Sequence, residues 1–184
     1  MTRRLLKAAL AGVVVGVSLA PPVVHSAPRQ ITVSPDSELR FGTFLVFGSG
    51  ARVVAPGGAT TNVSIFPVPG DSTAPARFTV TYDRGNNAAN NRRPRTVEIE
   101  LVMSQPAPVT VNGVTGRVSA FNTDLPGVGR IEPGRAFRLT IPNCQTRTCS
   151  ASFQIGGRID VTRQANGAEL TIPLMMDAVL ISDG

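Results

Sequence analysis

Tryptophan is absent from this sequence, and histidine, lysine and tyrosine each occur once. There are only two cysteines. His25 and Lys7 both stand near the start of the chain. Beyond residue 26 no stretch approaches the roughly 20 apolar residues that a membrane-spanning helix needs. These scarcities narrow the chemistry. A Ser-His-Asp or Cys-His nucleophile requires an imidazole, and none follows His25. Two cysteines without histidine cannot complete a tetrahedral zinc cage. There is no nucleophile elbow, phosphate loop or dinucleotide fingerprint. A non-enzymatic protein without cofactor or metal is therefore expected.

What is present begins with an export signal. Arg3, Arg4 and Lys7 precede the apolar run Ala8–Ala20, which Pro21 and Pro22 interrupt. A small-residue cleavage site, VVHSA, follows. Cleavage is expected after Ser26, with Ala27 as the alternative, leaving residues 27–184 as one domain. The run is too short for a membrane anchor. With the leader removed, arginine is the sole basic residue, 15 against 12 acids, a net charge of about +3. That excess is too mild to indicate nucleic acid.

Cys144 and Cys149 flank a four-residue turn in PNCQTRTCSAS. In an exported chain a disulfide is the expected state, and the spacing is not the C-x-x-C of a redox pair. A loop this small gives a chain-entropy stabilisation of about 2 kcal/mol.

The rest alternates with period two, broken by Gly, Pro and Asn. Strands are predicted at Gln30–Ser34, Arg40–Phe47, Arg52–Ala55, Thr60–Phe66, Ala76–Tyr82 and Thr96–Met103. Others follow at Val109–Val111, Arg117–Phe121, Phe137–Ile141, Ser150–Ile155 and Gly157–Val161, with a long last strand at Glu169–Ile181. Many short strands in one domain indicate an all-β fold, a single antiparallel sandwich or barrel. Polar loops are expected over Pro67–Pro75 and Asp83–Arg95.

Several residues invite a chemical reading and a plainer one. Glu98 and Glu100 share a strand face, whereas glycoside hydrolysis needs carboxylates facing each other across a cleft; they are expected to be a solvated face. Asp36 and Glu38 lack the companions of a calcium loop. Asp177 interrupts an apolar strand, and alternation points it outward at an edge that Pro173 also marks. Arg92, Arg93 and Arg95 cluster beside four asparagines without aromatic interleaving, so base stacking is not expected. Gly156–Gly157 reads as a bulge or tight turn, and Asn62-Val63-Ser64 is a glycosylation sequon only in a eukaryotic secretory pathway.

Three segments carry a resemblance: LRFGTFLVFGSGARVVAPGG (39–58), APARFTVTYDRG (74–85) and ASFQIGGRIDVTRQANGAELTIPL (151–174). In order and spacing they resemble an exported bacterial family called domain of unknown function 4402. Leu39, Phe41, Gly42 and Thr43 match its L-x-F-G-T strand. Ala76, Phe78 and Val80 match its A-x-F-x-V strand. Phe153, Ile155, Gly156, Gly157, Ile159 and Val161 match a later strand. The usual Tyr-containing closing turn is replaced by ANGAELTIPLMM. The resemblance implies an immunoglobulin-like or pilin-like sandwich with a surface or fimbrial role. The expectation is thus an exported structural protein of the periplasm or cell surface, working by strand-edge contact with itself or an envelope partner. The alternative is an extracellular binding module that takes glycan or protein on its loops. Because the last strand is long and the N-terminal extension offers only Ile31 and Val33, a self-complete domain is expected.

Overall fold

The computed structural model describes residues 29–85, 93–163 and 168–184; the leader lies outside them. Every element within those segments longer than a single turn is a strand. In chain order they are β1 (Gln30–Ser37), β2 (Leu39–Val54), β3 (Thr60–Pro67), β4 (Ala76–Asp83), β5 (Arg95–Met103) and β6 (Val109–Val111). Then come β7 (Val114–Thr123), β8 (Arg130–Ile131), β9 (Ala136–Cys144), β10 (Thr148–Arg163), β11 (Ala168–Ile172) and β12 (Met176–Asp183). All pairings are antiparallel.

Two sheets result. The larger follows the order β1-β4-β10-β2-β11, with β3 on β2 and β6, β7 and β8 branching from β10. The smaller is β12-β5-β9. β10 is the spine of the first. Its opening half, Thr148–Ile155, pairs with β4, and Gly157–Thr162 pairs with β2. Ile155–Arg163 also pairs with β7.

The inner faces make one core. The alternation of β4 buries Ala76, Phe78, Val80 and Tyr82, and that of β5 buries Val97, Ile99, Leu101 and Met103. The sheets meet through aromatic rings. Phe153 of β10 stacks on Phe78 at 5.8 Å and takes the edge of Phe137 from β9 at 6.3 Å. Offset and edge-to-face pairs at such distances add about 0.5–1.5 kcal/mol beyond the area they bury.

Turn chemistry follows the sequence closely where φ must be positive. Asn112 (φ 50°) and Gly113 (φ 74°) join β6 to β7 as a two-residue hairpin, the Asn-Gly pairing that suits a type I′ turn. Gly58 (φ 85°) closes the β2–β3 loop, where the Ala55 amide donates to the Ala59 carbonyl.

Beyond shifts of a few residues at strand ends, four features differ from the sequence expectation. Arg40–Phe47 and Arg52–Ala55 are one strand, β2, whose register against β3 jumps between Val46 and Ala51. Gly48, Ser49 and Gly50 read as a break because bulges and turns use the same residues. Ser150–Ile155 and Gly157–Val161 likewise merge into β10. Gly156 is not a bulge: a Cβ there would lie 2.2 Å from the Val54 carbonyl oxygen, so the glycine permits close backbone approach. The register shift falls later, between Arg158 and Ile159. Finally, Glu169–Ile181 is two strands. Pro173 stops the ladder, β11 ends in the larger sheet, and β12 begins in the smaller one. The short β8 was not foreseen; two residues carry no periodicity.

Candidate functional site

The expected disulfide is formed. Cys144 and Cys149 are bonded, with Cα atoms 5.7 Å apart. Cys144 ends β9 in one sheet and Cys149 opens β10 in the other, so the bond fastens the chain where it passes between layers.

Around that crossing lies a polar end. The Asp183 carboxylate takes the Arg29 guanidinium at 3.0 Å and the Tyr82 hydroxyl at 2.9 Å. Arg95 donates to the Asp183 carbonyl at 2.9 Å, and Arg84 to the Cys144 carbonyl. Arg147, in the cysteine turn, donates to Asp83 at 3.1 Å. That bond, with one from the Gly85 amide, holds the Asp83 carboxyl below its ordinary range. Burial, and then the bond to Asp183, raise the Tyr82 phenol. Arg95 belongs to this end and Arg93 is exposed two residues before it; Arg92, the third member of the expected cluster, lies outside the described residues.

A second cluster was not foreseen. Arg52 is 2% exposed, with its guanidinium satisfied on all sides. It donates to Asp71 at 2.5 Å, to the Phe41 carbonyl at 2.5 Å and to the Asn62 side chain at 2.8 Å, and lies 5.5 Å from the Phe44 ring centroid. Asp71 also accepts from the Thr43 amide at 2.7 Å. Gly42 explains the approach. It has φ 71°, beside a register shift against β11, and a Cβ there would meet the Asp71 carboxylate. The Phe41-Gly42-Thr43 segment is thus a seat for one carboxylate on the 68–75 loop. The only hint in the sequence was an arginine within the apolar run ARVVA.

The remaining candidates are dispersed. Glu98 and Glu100 are half-buried on the outer face of β5, opposite Thr140 and Arg138 of β9. Asp177 is exposed on β12 opposite Val102, as alternation required. Asp36 accepts from Thr79 at 2.6 Å, and with Glu38 lines a cleft of about 260 Å³ floored by Ala76 and Phe78. Among the described residues no three His, Cys, Asp or Glu side chains are grouped to hold a metal. A surface cleft of about 520 Å³ runs beside β8 and β9; Arg130, Arg138 and Arg135, the last paired with Glu132, border it, with Ile131 and Phe137 in its lining.

The most unusual surface is apolar. Leu45, Phe47, Val63 and Phe66 are 44%, 71%, 58% and 56% exposed. Leu45 stands opposite Phe66 in the β2–β3 ladder, and the Phe47 and Phe66 rings meet edge-on at 5.7 Å. Leu45, Phe47 and Phe66 form one surface, and such contiguity marks contact sites; Val63 lies across the register shift, opposite Ala51. It was partly legible: in FLVF both strand faces are apolar, so one apolar face must point outward.

Fold and surface together define an antiparallel two-sheet protein with one disulfide and an uncovered apolar edge. By the match of its residues 31–169 to the family model, the chain belongs to the family described as Domain of unknown function (DUF4402). No curated protein and no solved structure matches it. The family carries no established activity to transfer. Among the described residues no helix is long and apolar enough to cross a membrane.

Proposed function

We propose that this protein is exported and works as a structural component of the cell envelope or surface, by contact with other proteins and without catalysis. The exposed surface of Leu45, Phe47 and Phe66 carries this reading, because a contiguous apolar patch on a folded domain is stabilised by being covered. The disulfide supports export, since such bonds persist in oxidising compartments. The N-terminal leader pattern supports it as well.

Envelope fractionation tests the reading. In cells exporting the full chain, the protein is expected to sediment with the envelope. The Phe47→Ser/Phe66→Ser variant is expected to shift to the soluble fraction while keeping its far-UV circular dichroism. Wild-type protein found wholly soluble would refute the envelope role. A second reading, a module that binds acidic glycans, is favoured by the arginine-bordered cleft near β8 and β9. A glycan array with no acidic ligand bound would remove it.

A further inference from the structure

We infer that the cleft between β8 and β9 is a docking site for an extended acidic segment of a partner protein, which adds to the open edge of β9. The inference rests on the contact role proposed above and names the partner's chemistry.

The cleft of about 520 Å³ is walled by Arg130 and Ile131 of β8 and by Ala136, Phe137, Arg138 and Thr140 of β9. β8 belongs to the larger sheet and β9 ends the smaller one, so the cleft runs along the side where the two layers part. β9 pairs with β5 alone, and no β5 residue lines the cleft. The cleft therefore opens on the free edge of β9. Among the described residues the backbone of Ala136–Ile141 has no partner on that side, and unpaired strand edges are templates for pairing.

The cleft is built in advance. Two backbone turns rim it. In one the Val128 amide donates to the Leu125 carbonyl at 3.2 Å, and in the other the Arg135 amide donates to the Glu132 carbonyl at 3.0 Å. The first is tied to the larger sheet, where the Thr123 amide of β7 donates to the Gly129 carbonyl at 3.0 Å. The second is tied to the smaller sheet by the Gly134 amide, which donates to the Met103 carbonyl of β5 at 2.8 Å. A site fixed before its ligand arrives spends little binding free energy on ordering.

Charge selects the occupant. Arg135 is met by Glu132 at 3.2 Å. Arg130 and Arg138 are exposed, and neither has an ion pair among the described residues; Arg138 stands opposite Glu100 in the ladder without bonding it. A guanidinium presents a planar fork of donors that matches a carboxylate. One stands on each wall, so a chain lying between them meets a cation on both sides. An acidic strand is attracted there, whereas a basic strand is repelled. The lining also favours peptide over sugar. Ile131 and Phe137 are 2% and 9% exposed, so no aromatic face is offered to a sugar ring, while β9 offers backbone hydrogen bonds along its length. A strand added here continues the alternation of β9. Its residues beside Arg138 and Thr140 are acidic, and those beside Phe137 and Leu139 are apolar.

Fluorescence anisotropy on the full mature chain tests this, with a labelled peptide of alternating glutamate and valine about six residues long. Wild type is expected to bind it, more weakly as salt rises. Arg130→Glu/Arg138→Glu is expected to weaken binding roughly tenfold or more, and to bind instead a peptide of alternating lysine and valine. Arg117→Glu/Arg158→Glu changes the net charge equally but lies outside the cleft, and is expected to change binding little. Circular dichroism checks that each variant folds. Of two glutamate–valine peptides N-methylated at alternate residues, one is expected to keep binding and the other to lose it, because only one set faces β9. Wild type that ignores the peptide overturns the inference. So does equal loss in both arginine double variants, or the same response to both methylated peptides. Wild type that binds an oligogalacturonate and not the peptide gives the cleft to the glycan reading instead. A protein that fails the peptide test yet sediments with the envelope rejects this docking site and leaves the contact role standing. One that binds the peptide and stays soluble keeps the docking site and rejects the envelope role.

Discussion

Arg52 shows how one side chain can organise a region. An arginine buried to this degree requires its charge to be met, and Asp71, the Phe41 carbonyl and Asn62 meet it. Replacing a buried pair as a unit is often tolerated, whereas removing one partner leaves the other stranded. Arg52→Ala is therefore expected to destabilise by about 3–5 kcal/mol in urea unfolding. Arg52→Met/Asp71→Asn is expected to lose clearly less. Equal losses would show that packing volume, and not the stranded carboxylate, sets the cost.

Tyr82 offers a second test at the same scale, and being the only tyrosine it gives an unobscured signal. Its folded pKa is raised by burial and by its bond to Asp183. A raised folded value means that the folded state holds the phenolic proton more tightly than the unfolded chain. This contribution is complete below the unfolded value near 10 and is lost as pH climbs through the folded one. Ultraviolet titration should give one midpoint above the ordinary phenol value. Asp183→Asn, which removes the second cause, should move it down. A wild-type midpoint at the ordinary value would contradict the geometry.

Among elements, the turn from β9 to β10 is one place where the chain passes between the sheets. Its disulfide closes a very short loop, so Cys144→Ser/Cys149→Ser is expected to cost about 2 kcal/mol. Reductant should lower the urea midpoint of wild type and leave that of the variant unchanged. This pairing was legible from compartment and spacing alone. So were β4 and β5, whose strict alternation left one possible inner face. The break in Glu169–Ile181 was half legible. Pro173 announced an interruption, but Leu170, Ile172, Leu174, Met176, Ala178 and Leu180 keep a single alternation across it. Because the two sheets face a common core, a chain crossing between them keeps the same apolar phase, and periodicity alone cannot reveal the crossing. Arg52 with Asp71 was hidden for another reason. Their partnership depends on where the 68–75 loop lands, and no local pattern encodes that.

For the whole molecule, the core is continuous between the layers. Phe153 touches the ring of Phe78 in its own sheet and that of Phe137 in the other. Removing that ring leaves a cavity at the junction, so Phe153→Ala is expected to cost about 3–5 kcal/mol. Both sheets should then melt together, as a single small domain does. Tyr82 fluorescence, reporting the larger sheet, and far-UV circular dichroism, reporting both, should trace one transition. Two separated transitions would mean that the layers fold independently.

The Arg29–Asp183 ion pair has a topological consequence. The guanidinium of Arg29 and the carboxylate of Asp183, at opposite ends of the described chain, lie 3.0 Å apart, so the two backbones are within side-chain reach and a short linker could join them into a ring without disturbing a strand. New ends could then be opened at the glycine-rich loop of residues 55–59. A protein rewired in this way would begin inside its longest hairpin and still fold to the same pair of sheets, because its architecture depends on which strands meet and not on where the polymer starts.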